Sequence, residues 1–346
     1  MNKDSTPPEP EDADISFSPA AMRHDGFFKL TFSQKEIAVG FFAEHLSTPL
    51  AKAADWDSLR VLSESHIGRD LSRSFSDLVF SLRLAGREAR IYLLFEHQST
   101  PDASMPLRML EYIAALERRH FDRNGKELPL PVVIPYLLHQ GPKPWNSATG
   151  FQDIVDVPAE LAASLMPMIP KFNFPVLDLS KTNPAEEVCD TQVRIVLELM
   201  KRVREHREAM EFAEWLAGQE ISRLILRLAP ALMTYLFGHT DYLPDVLDIE
   251  RLEAILSPQP ELQRKTMTVL EKFRQEGRQE GRQEGRQEGR QEGIEKGLWI
   301  GKIQLLEEML GLDTTPKSEL ESTDLPQIEA RFRQLEAEYA RRFRKD

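Results

Sequence analysis

The chain has 346 residues, enough for two domains with tails, and carries 44 Lys+Arg against 56 Asp+Glu, a net charge of −12. That balance excludes a general nucleic-acid coat, which is basic, while 41% hydrophobic and 29% charged residues are ordinary for a globular protein. No apolar run approaches the ~20 residues of a membrane span. The single cysteine, Cys189, excludes an intramolecular disulfide and a cysteine-rich zinc site.

The opening MNKDSTPPEPEDAD is rich in proline and acid, so residues 1–18 are expected to be a disordered tail and not a secretory leader. A reducing, cytoplasmic location is the expectation. From Asp25 to Leu46 the spacing of Phe28, Phe32, Val39 and Phe42 predicts an amphipathic helix, and Leu59–Ser65 a first strand.

Next come two apolar runs, Ser74–Leu84 (SFSDLVFSLRL) and Ala89–Gln98 (ARIYLLFEHQ), separated by Ala85-Gly86-Arg87-Glu88. They predict a β-hairpin. With Gly86 and Arg87 as the two-residue loop, Asp77 falls directly opposite Glu96, with Cβ atoms ~4.5–5.5 Å apart. Gln98 lies two residues further along the same face. Two carboxylates facing each other within apolar strands repel, and burying them is costly. A divalent cation between them is the simplest relief. Magnesium suits such a site best, with its few protein carboxylates and retained waters, though other divalent cations fit too.

Pro106 stands where proline favours a first helical turn, and Leu107, Leu110, Ile113, Ala114 and Glu117 continue with helical spacing. Pro131–His139 is a short apolar run ended by Gly141-Pro142, the form of a buried strand. Helix, three strands, helix, strand makes an α/β fold. Phe174–Leu179 suggests an added edge strand whose Asp178 either lies near the site or caps the next segment, the second being favoured. Val193–Ala217 and Ile221–Phe237 read as amphipathic helices of a core. The organisation expected is an acidic tail (1–18), the α/β core (19–180), a helical domain (181–270), a repeat (271–301) and C-terminal helices (302–346).

The repeat runs Arg274–Gly293 as RQEG five times, then IEKG and LWIG, placing a glycine at every fourth residue from Gly277 to Gly301. Seven helix-interior glycines cost about 6 kcal/mol relative to alanine. Arginines stand four apart and so do glutamates, and no Glu–Arg pair falls at i,i+3 or i,i+4. A flexible charged spacer and a helix rescued by a partner, such as a second copy of the chain, both fit.

Secondary candidates are weaker. Asp25 and Lys29 fit an outer metal ligand and a phosphate donor, and equally an ordinary i,i+4 pair. Arg69, Arg73, Arg83, Arg87 and Arg90 surround the hairpin and could meet phosphates, or could decorate a solvated edge. From Arg23 to Lys126 there are 15 basic and 14 acidic residues, so charge neither supports nor bars DNA. His97 alternates to the face opposite Glu96, and His24, His45, His66 and His120 lack metal-ligand spacing.

FSDLVFSLR followed by IYLLFEHQSTPD resembles the Rpn family of recombination-promoting nucleases, also described as transposases, within the PD-(D/E)XK nuclease superfamily. His24-Asp25-Gly26-Phe27-Phe28-Lys29, MPLRMLEYIAALERRH (105–120) and VIPYLLHQGPKPW (133–145) extend the likeness across roughly residues 20–240. The resemblance implies an αβββαβ nuclease core in which Asp77, Glu96 and Gln98 are catalytic and Asp77 and Glu96 hold Mg2+. Gln98 stands where the superfamily has lysine, a form that recurs in this family. The activity implied is metal-dependent DNA endonuclease, promoting recombination or acting on mobile or foreign DNA. A non-catalytic DNA-binding accessory protein and an oligomeric regulator acting through the repeat remain the alternatives.

Overall fold

The computed structural model describes residues 15, 22–62, 77–96, 101–126, 128–205, 209–239 and 248–343; at 77, 92–96, 239 and 280 it describes the backbone alone. The chain divides into two compact units at Glu271/Lys272.

The first unit is built on one mixed five-stranded sheet in the order β1-β2-β3-β4-β5. The strands are β1 (Ala54–Val61), β2 (Asp77–Leu84), β3 (Arg87–Glu96), β4 (Val132–His139) and β5 (Val176–Asp178). β1, β2 and β3 run antiparallel, whereas β3, β4 and β5 are parallel. Before β1 come α1 (His24–Phe32), α2 (Lys35–His45) and α3 (Thr48–Ala53), and α4 (Met105–Arg123) joins β3 to β4. The element order is therefore helix, three strands, helix, strand, in a mixed α/β unit.

Strand alternation gives the sheet two faces. One face presents Phe80 and Tyr136 to an aromatic cluster on α1 and α2. Phe42 meets Phe80 edge-on at 5.2 Å, Phe41 meets Tyr136 at 5.5 Å, and Phe32 meets Phe41 at 5.1 Å. The other face presents Val79 and Leu137, covered by Met105, Met109, Tyr112 and Leu116 of α4 together with Trp145 and Phe174.

The helix expected over residues 25–46 is two helices. The Gln34 N–H bonds to Thr31 O at 3.0 Å, a tight closing turn that ends α1 and lets Phe32 fold onto Phe41. The first strand lies earlier than Leu59–Ser65. It reads ADWDSLRV, a polar-looking run held by Arg83, which bonds Asp55 Oδ2 through Nε and Nη2 at 3.0 and 2.8 Å. Between Asp55 and Arg60 the strand bulges, and Ser58 Oγ accepts the Arg83 N–H at 2.8 Å in place of a ladder carbonyl.

The run Val193–Ala217 likewise divides. After α5 (Ala162–Leu165) and α6 (Pro184–Glu187) come α7 (Thr191–Arg204) and α8 (Ala209–Ala217), then α9 (Arg223–His239) and α10 (Ile249–Leu256). Asp190 caps α7, its Oδ1 accepting from the Gln192 and Val193 N–H groups at 2.9 and 3.0 Å. α2 approaches this cap at Gly40, where a Cβ would stand 2.8 Å from the Asp190 carboxyl carbon. No larger residue fits without displacing the cap.

α11 (Pro260–Leu310) runs 51 residues and contains the whole RQEG tract, so the tract is helix and not a spacer. In the second unit its end packs with α12 (Lys317–Glu321) and α13 (Leu325–Phe343) around Ile300, Ile303, Leu310, Leu320, Ile328 and Leu335. Buried Glu307 accepts from the Thr315 N–H and Oγ1–H and from Arg331 Nη2, each at 2.8 Å. Burial alone would raise the Glu307 pKa, but those donors outweigh it and hold the carboxyl below its ordinary value. No helix among the described residues is long and apolar enough to cross a membrane.

Candidate metal centre

The hairpin turn decides the geometry of the two carboxylates. Ala85 and Gly86 form the loop, with φ of +48° and +79°, and Leu84 pairs with Arg87. Two consecutive positive φ values make the primed turn that matches the twist of the strands, and glycine belongs at its second position. The expected loop, Gly86-Arg87, is therefore displaced by one residue, which slides the ladder by two. Asp77 pairs with Leu94, not with Glu96. Because the slip is two residues and not one, each position keeps its face. Asp77 and Glu96 thus share a face as diagonal neighbours, about 7–8 Å apart.

The diagonal suits a cation at least as well as direct opposition. Two carboxylates can each give an oxygen to one ion bound at about 2.0–2.1 Å without touching each other. Asp77 is the first described residue of β2 and Glu96 the last of β3, at the end of the hairpin away from its turn. Gln98 and His97 lie outside the described residues, as do Arg69, Arg73 and His66.

Glu96 also begins a row that crosses the sheet. It pairs with His139 of β4, and His139 pairs with Asp178 of β5. Asp178 is 8% exposed and fully engaged. Its Oδ1 accepts the Ser180 N–H and Oγ–H at 3.1 and 2.7 Å, and its Oδ2 accepts the Trp145 N–H at 2.7 Å. This is the capping role, and it pins the loop after β4 to the sheet edge. His139 is completely buried, its Nε2 lies 2.9 Å from Lys143 O, and Trp145 packs edge-on at 5.3 Å. Among the residues whose side chains are described, a set without Asp77 and Glu96, no three His, Cys, Asp or Glu converge as ligands.

The remaining candidates lie elsewhere. α1 carries Asp25 and Lys29 over the Phe80–Tyr136 face, whereas Asp77 and Glu96 belong by alternation to the Val79–Leu137 face. Arg83, Arg87 and Arg90 cluster at the turn, about 20 Å along the strands from Asp77 and Glu96. Arg83 is taken by Asp55, and Arg90 Nη1 is 2.6 Å from Glu88 Oε1. On α4, Glu117 is pushed above its ordinary pKa by burial, an effect that the charge of Arg90 partly offsets.

Of these features the sequence yielded the hairpin and the shared face. The row from Glu96 to His139 escaped it, because parallel strands separated by a helix leave no local sign of register.

The sequence pattern of the family described as "Putative transposase, YhgA-like" matches residues 22–223. Recombination-promoting nuclease RpnA of Escherichia coli (strain K12) is 30% identical over 268 residues, 76% of this chain and 87% of that protein. Recombination-promoting nuclease RpnC of the same strain is 30% identical over 200 residues, 58% of this chain and 64% of that protein. The inactive recombination-promoting nuclease-like protein RpnE, also of that strain, is 27% identical over 264 residues, 75% and 84% of the two chains. No solved structure matches.

Proposed function

The chain belongs to the YhgA-like transposase family, and from that premise we propose that it is a metal-dependent DNA endonuclease with a PD-(D/E)XK type of centre. The observation that carries this reading is the register that sets Asp77 and Glu96 on one sheet face, one diagonal step apart, at the end of the hairpin away from its turn. Relatives named as nucleases supply the reaction class, hydrolysis of DNA phosphodiester bonds with a role in recombination.

A bound divalent cation supplies polarisation of the scissile phosphate and a water acidified toward neutral pH. Asp77 and Glu96 would hold it through hard oxygens, a pair of donors that suits Mg2+. Gln98 has no charge to offer a leaving group, so its amide orients water or a phosphate oxygen. DNA is the partner, and a cytoplasmic location fits that substrate.

The test is nicking of supercoiled plasmid with Mg2+ and with EDTA. Asp77→Ala and Glu96→Ala should each abolish nicking with the circular-dichroism spectrum unchanged, and Gln98→Ala should slow it strongly. Cleavage that persists in EDTA, or in both carboxylate variants, overturns the proposal. The names of two relatives mark them inactive, which favours a second reading, DNA binding without cleavage. Retention of plasmid DNA with no nicking under any divalent cation would select it.

A further inference from the structure

We infer that His139 is a third protein ligand of the cation held by Asp77 and Glu96, giving that site a preference for Mn2+ over Mg2+. The inference rests on the site proposed above and adds a residue from a different strand.

Four observations lead to it. His139 is paired laterally with Glu96 in the parallel ladder, so the two positions belong to one face of the sheet on adjacent strands. Its ring is 0% exposed, which makes every unmet polar atom on it costly. Nε2 faces a backbone carbonyl, Lys143 O at 2.9 Å, so Nε2 carries the proton and Nδ1 presents a lone pair. That Nδ1 is buried and has no hydrogen-bond partner among the described residues. Its lateral neighbour on β5 is a carboxylate already engaged by Ser180 and Trp145. An ionised carboxylate has in any case no hydrogen to give.

The imidazole therefore belongs to the row that Glu96 begins and has an unused electron pair, its other nitrogen fixed by a carbonyl. Histidines that bind metals are held in this way, the second ring N–H donated to a carbonyl or carboxylate that fixes tautomer and orientation. The loop bearing Lys143 is itself held by the bond from the Trp145 N–H to Asp178. Asp178 is then an outer support of the site and not a ligand.

Two carboxylates alone favour Mg2+, whereas an added imidazole nitrogen moves preference along the transition-metal order. The test is titration of the full-length chain with Mn2+ and with Mg2+ by calorimetry, with no DNA present. His139→Gln keeps an N–H able to reach Lys143 O and removes the Nδ1 lone pair. It should weaken Mn2+ binding by about tenfold or more, change Mg2+ affinity much less, and leave the thermal unfolding profile intact. Asp77→Ala should weaken both ions. In the wild type the Nδ1 nitrogen signal of His139 should shift on addition of diamagnetic Zn2+.

Equal Mn2+ affinity in wild type and His139→Gln, with Asp77→Ala impaired, leaves the carboxylate site standing and overturns the histidine. Unimpaired binding in Asp77→Ala overturns both. If His139→Gln proves unfolded, the Nδ1 signal of the wild type decides alone, and its failure to move overturns the inference.

Discussion

A single half-buried carboxylate on the helix that covers the sheet shows how cost and position are linked. Glu117 lies on α4, with Oε2 buried and unpartnered among the described residues, and burial holds its pKa above the ordinary value. A carboxyl whose folded pKa is raised keeps its stability contribution below the unfolded pKa of about 4.3 and loses it as pH rises through the folded value. At neutral pH the ionised Glu117 therefore works against the fold. Glu117→Gln should raise the melting temperature at pH 7–8, and the gain should shrink toward zero below pH ~4. Parallel melting curves at the two pH values check this; a variant less stable at pH 7.5 would mean that the Arg90 charge outweighs burial. Glu307 is the opposite case, a carboxylate whose donors stabilise its charged form, so its contribution disappears in acid.

At the scale of elements, the sequence was most legible where apolar spacing was strong and least where polar residues carry the structure. Phe28, Phe32 and Phe42 announced their helices, and the two apolar runs announced the hairpin. The start of β1 escaped because it depends on Asp55, Ser58 and Arg83, whose bonds form only when β2 is present. The candidate site was legible as a shared face but not as a register, since a one-residue choice of loop slid Asp77 from Glu96 to Leu94. The RQEG tract shows a further limit. Propensity argued against a helix, yet α11 continues through it, and a Cβ built at each of Gly277, Gly281, Gly285, Gly289 and Gly293 meets no atom within 4 Å. Alanine should thus be accommodated freely. Replacing Gly281, Gly285 and Gly289 with alanine should stabilise this stretch by about 0.8–1 kcal/mol per site, read as slower amide exchange across the tract. Faster exchange would show that the glycines serve a close contact.

For the whole molecule the tract poses a question of association. A period of four residues does not match the 3.6 of the helix, so each successive glycine, arginine or glutamate is displaced about 40° around the axis. Over Gly277–Gly301 the rows wind some two-thirds of the way round and present no continuous face to a straight partner. Among the described residues no ion pair joins an arginine and a glutamate of Arg274–Gly293, which leaves two like-charged rows winding side by side along roughly 30 Å of helix. The partner that such rows fit best carries both signs at the same period, which is a second copy of this chain offset by half a repeat. Contact of this kind is electrostatic, and screening weakens it once the Debye length falls toward 3 Å at 1 M salt. Light scattering of the full chain should therefore give a larger mass at low ionic strength than at 1 M salt. Deleting Arg274–Gly293 should give the smaller mass at both, while plasmid nicking that depends on Asp77 persists. A mass indifferent to both salt and deletion would make the tract a rigid strut with no part in assembly.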